Sequence, residues 1–406
     1  MVLGLSLIPF LNYIVNSDLA QNELITYYVL FLLNSAVTYF SAPHIALLAA
    51  NQDNRLHKIV TLLTNFILQF LHIGVLLLWR NYTLYIVTTL ITSVANVIIL
   101  NLISSKRYKY LDKKAITKNV DKKEIISSVK STFLYKIGAV VVNNTSNILI
   151  SVIVSTAMVG LYSNYYLIVS GIQSFIAIIT TSLISGVGNL SAHNNKEKMH
   201  SVFNTMLLFY NFIATVGGIA FFLLFNDLIP IWLGEEYLME KDVVFAIAFN
   251  FYLTTTISPI WMYREANGLF SKVRYLMPTV AVCNIVFALV LGNILGVFGI
   301  LISASLSRLV TQVWYEPKVL FKSVFGKSQK EYWVLQIKYL ILTVISSLLC
   351  YFSTAPLPHS FWFMVIKAVI IVAICGVVFL ISNIKSKEMK EVTNLILPII
   401  NKIKSK

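Results

Sequence analysis

Apolar residues run in long blocks along this chain, near 1–15, 24–49, 58–79, 83–103, 137–158, 160–186, 200–225, 243–263, 275–292, 296–315, 334–352 and 361–384. Most approach the ~20 residues that a helix needs to cross ~30 Å of hydrocarbon. A backbone in lipid must satisfy its hydrogen bonds within its own segment, so each block predicts a helix. The first is short: at ~1.5 Å per residue, 1–15 reaches only about 22 Å. One long polar interruption, Lys106 to Lys136, separates four blocks from eight and holds ten Lys/Arg residues.

That interruption sets the direction of every span, because short basic loops stay on the cytoplasmic face. With it inside, the loops 50–58, 104–136, 187–199, 264–274, 316–333 and 385–406 are cytoplasmic and hold 27 of the chain's 32 Lys/Arg residues. The opposite loops carry Asp18, Glu23, Asp227, Glu235, Glu236, Glu240 and Asp242, and no Asp or Glu is expected within a span. Both termini are expected to be cytoplasmic.

Composition adds the class. A chain of 406 residues that is 57% hydrophobic and 12% charged is far from soluble usage, where about 25% is charged. The expected fold is all-α and polytopic, with about twelve transmembrane helices. The net charge of +15 would suggest nucleic acid in a soluble protein; here the basic residues lie between apolar spans, so topology accounts for them. Cys283, Cys350 and Cys375 all lie inside spans, which argues against a disulfide framework and a metal site. No GxxxxGK[ST], HExxH or GxSxG pattern occurs, so ATP hydrolysis and common hydrolase chemistry have no visible seat. The reading is of a protein that is not an enzyme, with no cofactor, no metal and no nucleic-acid partner.

The chain also repeats itself. Ile8-Pro9, an acidic loop, a helix, Ala50-Asn51 and Arg55 are echoed by Ile229-Pro230, an acidic loop, a helix, Ala266-Asn267 and Lys272/Arg274. Both copies run the same way through the membrane, which implies two pseudo-symmetric lobes. The second copy has more than two helices before Pro230, whereas only eight residues precede Pro9. The repeat therefore predicts a first lobe lacking its first two helices. The expected organisation is an N-terminal lobe at 1–103, a basic linker with an interfacial helix at 104–136, a six-helix lobe at 137–315, two peripheral helices at 316–384 and a basic tail at 385–406. The linker's helix starts at the capping-box sequence Asp121-Lys122-Lys123-Glu124 and is expected to lie on the membrane surface before turning into the next span. Met389, Val392, Ile396, Ile399 and Ile403 suggest a second interfacial helix in the tail.

Six stretches resemble a known family in its order: YKIGAVVVNNTSNILIS (135–151), VGLYSNYYLI (159–168), GVGNLSAHNNKEKMHSVF (186–203), IPIWLGEEYL (229–238), YREANGLFSKVRYLMP (263–278) and WYEPKVLFK (314–322). The chain is similar to polysaccharide flippases, the O-antigen and capsule repeat-unit translocases of the multidrug/oligosaccharidyl-lipid/polysaccharide exporter superfamily. The resemblance implies transport of polyprenyl-pyrophosphate-linked oligosaccharides across the bacterial cytoplasmic membrane. The implied partners are that substrate, membrane lipids and other polysaccharide-assembly proteins. The alternatives are a drug or lipid exporter of the same superfamily, or a membrane polysaccharide polymerase. Where such proteins often carry Asp, this chain has Ser146.

Six residues form the candidate site. Asn143 and Asn147, one helical turn apart on one face, line a cavity or bond neighbouring helices. Arg55, Lys136 and Arg264 stand at cytoplasmic helix ends, where they draw in an anionic substrate or act as ordinary positive-inside anchors. Arg308, about two turns from the cytoplasmic end of its span, lines a cavity or snorkels. Lys338 and Lys367 read as snorkelling residues, and His72 as a hydrogen-bonded packing residue.

Overall fold

The computed structural model describes residues 2–11, 15, 20–51, 53–108, 122–192 and 195–391; among these the protein is helical throughout, without a strand. It divides into two compact units, Met1–Val120 and Asp121–Lys406.

Unit 1 begins with a four-residue helical turn, Val2–Leu5, and a tight turn, Ile8–Phe10. Then come α1 (Gln21–Tyr39), α2 (Ala42–Ala50), α3 (Asn54–Leu78) and α4 (Tyr82–Arg107). The block expected at 24–49 breaks at Phe40–Ser41, where Pro43 cannot donate to the carbonyl of Tyr39 and so opens a new helix. Asn81 caps α4, its side chain accepting from the Leu84 amide at 3.1 Å. His72 stacks on Tyr85, with ring centroids 3.7 Å apart, and shares a 3.1 Å hydrogen bond with Thr89. It packs α3 against α4.

Unit 2 holds α5 (Lys122–Leu149), which ends in a widened turn at Ile150–Val154, then α6 (Thr156–Ala192), α7 (Lys196–Trp232) and α8 (Lys241–Ala266). The next helical run, Leu276–Val310, contains Gly296 at φ 60 and ψ −136. There the chain reverses. Ser303 donates to Asn284 Oδ1 at 2.9 Å, although the 19 residues between them would span about 28 Å in a straight helix. Beyond the turn, Gly299 lies so close to the Leu291 carbonyl that a Cβ there would sit 2.1 Å from its oxygen. The run is therefore two antiparallel helices, α9 (276–295) and α10 (297–310). α10 continues through α11 (Gln312–Leu320) to a widened turn at Phe321–Phe325, and α12 (Lys330–Thr354) and α13 (Phe361–Asn383) follow.

Ten helical runs among the described residues are long and apolar enough to cross a membrane. The Gly296 reversal makes eleven crossings of them, so this is a multi-pass membrane protein. No crossing comes from the described residues of block 1–15. α8 is the most enclosed span, with 72% of its apolar window buried. It is the central element of unit 2.

Several expectations change. The surface helix predicted from Asp121 is instead the start of α5, which runs unbroken into the span. Residues 109–121 of the linker and 392–406 of the tail lie outside the described residues. The membrane interior is not free of carboxylates. α7 extends past Phe225, where the apolar block stops, and buries Asp227 at 2% exposure. Lys367 Nζ donates to Asp227 Oδ2 at 2.7 Å, and His359 bonds the other oxygen. Lys367 is itself buried and does not snorkel. Lys338 reaches Asn383 Oδ1 at 2.6 Å, at the end of α13.

Candidate functional site in unit 2

The candidate site grows from a ladder on the α10–α11 rod. Arg308, Gln312 and Glu316 are four residues apart in turn, so they share one helical face. All three are at least 96% buried. α8 supplies Asn250 and, in its last turn, Arg264. α5 supplies Tyr135 and Asn143.

Two clusters result. In the first, Arg264 Nη1 donates to the Glu316 carboxylate and the Tyr135 hydroxyl. Its guanidinium lies 4.3 Å from the Tyr135 ring centroid and 5.1 Å from that of Phe270, within the range of a cation–π contact. Gln312 Nε2 donates to the second Glu316 oxygen at 2.7 Å. Both carboxylate oxygens are thus bonded. In the second cluster, Arg308 Nη1 donates to Asn250 Oδ1 at 3.0 Å and Nη2 to Asn143 Oδ1 at 3.3 Å. Those partners are neutral, and among the described residues no carboxylate comes within ion-pair distance of Arg308.

The charge balance follows. Two guanidiniums face one carboxylate, so the group is left with one uncompensated positive charge. Burying an unpaired charge is expensive, and neutral amides replace only part of the lost hydration. The Nε atoms of both arginines are also buried without an acceptor. Such a group is suited to an anion that accepts several N–H bonds, as a phosphate does. Near the start of α9 a cavity of about 480 Å³ is lined by Lys272, Arg274, Tyr275, Thr279, Thr311 and Tyr315, among others. Thr311 sits on the same rod as Arg308, one turn along it.

Of the six sequence-derived candidates, Arg308 and Asn143 are bonded to each other, and Arg264 belongs to the neighbouring ion pair. Asn147 and Lys136 are exposed on α5 and join neither cluster. Arg55 is exposed in the first turn of α3, in unit 1. Sequence reasoning missed Glu316, Gln312, Asn250 and Tyr135. The spacing of Arg308, Gln312 and Glu316 was the available signal, hidden because Glu316 was assigned to a loop.

A family model described as "Polysaccharide biosynthesis protein" matches residues 2–242, more than half of the chain. A solved structure titled "Lipid II flippase MurJ, inward closed conformation" is similar in fold, with a TM-score of 0.65 at 16% identity. The likeness covers 95% of this chain and 82% of that one. No curated protein matches.

Proposed function

The chain belongs to the polysaccharide biosynthesis protein family, and on that premise we propose that it is a transporter that flips polyprenyl-pyrophosphate-linked oligosaccharide repeat units across the bacterial cytoplasmic membrane. The observation that carries this reading is Arg308, a buried guanidinium whose only bonded partners among the described residues are the amides of Asn143 and Asn250. A pyrophosphate displaces the weaker amide acceptors and supplies the missing negative charge. Arg264 is already neutralised by Glu316, so its role is to hold the helix ends that frame Arg308. Lys272 and Arg274, at the cavity beside the start of α9, give the anion a first landing place. The polyprenyl tail remains in lipid. The family match and the likeness in fold to a lipid II flippase support this reading.

Arg308→Ala removes a charge-assisted contact and should weaken binding of a polyprenyl pyrophosphate roughly ten- to hundredfold. Arg55→Ala should change it little. Binding by the purified chain in nanodiscs, together with surface polysaccharide in cells, measures both. Equal affinity for wild type and Arg308→Ala would remove the basis of the assignment. The orientation is tested separately. A single cysteine at Asn195 or Ser328 should resist an impermeant thiol reagent added to intact cells, and labelling there would reverse the topology.

A further inference from the structure

Unit 1 contains a second polar cavity, of about 230 Å³, built from α1 to α4 alone. His57, Thr61, Thr64 and Asn65 line it from one face of α3, and Ser93 and Asn96 from α4. Part of this lining is spent on internal bonds: Asn96 Nδ2 donates to Thr64 at 2.7 Å, and Thr61 and His57 share a 3.4 Å contact. Asn65 and Ser93, by contrast, make no side-chain hydrogen bond among the described residues. Each lies eleven residues inside its spanning helix, about 16 Å from the helix end and so near mid-membrane depth. An amide or hydroxyl without a partner at that depth is costly. These two groups stand ready for a ligand that hydrogen-bonds.

The chemistry of the lining narrows the ligand. No lining residue is a carboxylate, lysine or arginine. A phosphate would find no counter-charge here, and a metal cation no hard anionic ligand. Hydroxyls and amides match a neutral group that both donates and accepts, as a sugar ring with its hydroxyl and acetamido substituents does. The volume lies below the ~300–1,000 Å³ of pockets for drug-sized ligands, so the fit is to one sugar rather than a whole repeat unit.

We propose that this cavity is a subsite for an uncharged, hydroxyl- and amide-bearing sugar residue of the transported substrate. The inference rests on the transport reading above and goes beyond it by naming the part of the substrate that this cavity would hold.

The test compares two probes binding to the full chain in nanodiscs: a polyprenyl diphosphate bearing one N-acetylhexosamine, and the sugar-free polyprenyl diphosphate. Wild type should prefer the sugar-bearing probe by about tenfold, the worth of roughly two neutral hydrogen bonds. Asn65→Leu and Ser93→Ala remove groups that make no side-chain hydrogen bond among the described residues, so they should not disturb folding. Together they should abolish the preference and leave affinity for the sugar-free probe unchanged. Arg308→Ala should weaken both probes alike. Equal wild-type binding of the two probes, or a preference that survives in the double variant, overturns the sugar subsite while leaving the transport reading standing. Equal weakening of both probes by the double variant overturns it as well. Wild-type binding of neither probe overturns the transport reading, and the subsite with it.

Discussion

The ends of α2 and α8 carry the same local sequence pattern, and the two units fill it differently. Pro43 precedes Asn51 by eight residues, and Pro259 precedes Asn267 by the same number. Both asparagines close their helix alike, donating the side-chain amide to the carbonyl four residues back, Asn51 to Leu47 at 2.9 Å and Asn267 to Tyr263 at 2.7 Å. Five residues after each proline the two segments differ: unit 1 has Leu48 and unit 2 has Arg264. Leu48 is fully buried against Val60, Leu100 and Tyr108. Arg264 is buried against Glu316 and Tyr135. Unit 1 has an ion pair as well, Asp53 with Arg107 at 2.8 Å, but it lies partly exposed at the helix ends. An apolar contact suffices for stability at this place in the fold. A buried ion pair repays its desolvation poorly, so stability alone does not account for Arg264 and Glu316 in unit 2.

Glu316→Leu should have the largest effect on this comparison. It strands Arg264 in the interior and should lower the unfolding free energy by about 3–5 kcal/mol, read by thermal or denaturant unfolding in lipid. Adding Arg264→Met should restore most of that loss. A double variant no more stable than the single one would mean that the pair is not what holds this region. Next comes Leu48→Ala, which opens a cavity in the apolar cluster and should cost roughly 3 kcal/mol. Transport per folded molecule should stay the same, in contrast to any change at Arg308. Asn267→Ala removes both the capping bond to Tyr263 and the acceptor of the Ser191 hydroxyl, 2.6 Å away, and should cost about 2 kcal/mol. Asn51→Ala removes the capping bond to Leu47 and should cost about 1 kcal/mol; a loss at Asn267 no larger than that would mean that the Ser191 bond contributes nothing.

The smallest effect belongs to Asp53→Asn. The Tyr108 hydroxyl, first, and then Arg107 hold the Asp53 carboxyl below the ordinary carboxylate range. A carboxyl lowered in this way stabilises the fold above its unfolded value, and the contribution fades as pH falls through the lowered one. Acid should therefore loosen this contact only below the usual carboxylate range. The substitution should remove that pH dependence with little change at neutral pH, since exposed pairs contribute little. Hydrogen exchange at the start of α3 between pH 7 and 3 reads it directly.

The spans were legible because hydropathy and loop charge agree, and the spanning helices of unit 2 start and stop within about seven residues of their apolar blocks from α6 onward. What escaped the sequence depends on partners. Asp227 and Glu316 look like loop residues because each stands at the edge of an apolar block. Partners distant in sequence, Lys367 and His359 for Asp227 and Arg264, 52 residues away, for Glu316, allow those edges to continue as buried helix. The same limit explains the site. Arg308 could be singled out as an unusual intramembrane charge, but its acceptor Asn250 lies on a helix 58 residues distant. Lys136 and Asn147 were chosen by position along α5, and their facing was set by packing that no spacing rule encodes. Tyr135 adjoins Lys136 in sequence and faces the site in its place.

The reversal at Gly296 also bears on how the chain enters the membrane during synthesis. With one residue between α9 and α10, the two helices should enter lipid together as one hairpin. The Asn284–Ser303 bond would then hide two polar groups from lipid as they enter. Arg308 follows on the trailing arm, so its insertion cost is shared with that apolar hairpin instead of falling on α10 alone. Lengthening the turn with polar residues would split this event into two. Fewer copies of the chain should then reach the membrane with α10 inserted, even where the finished fold could accommodate the extra loop.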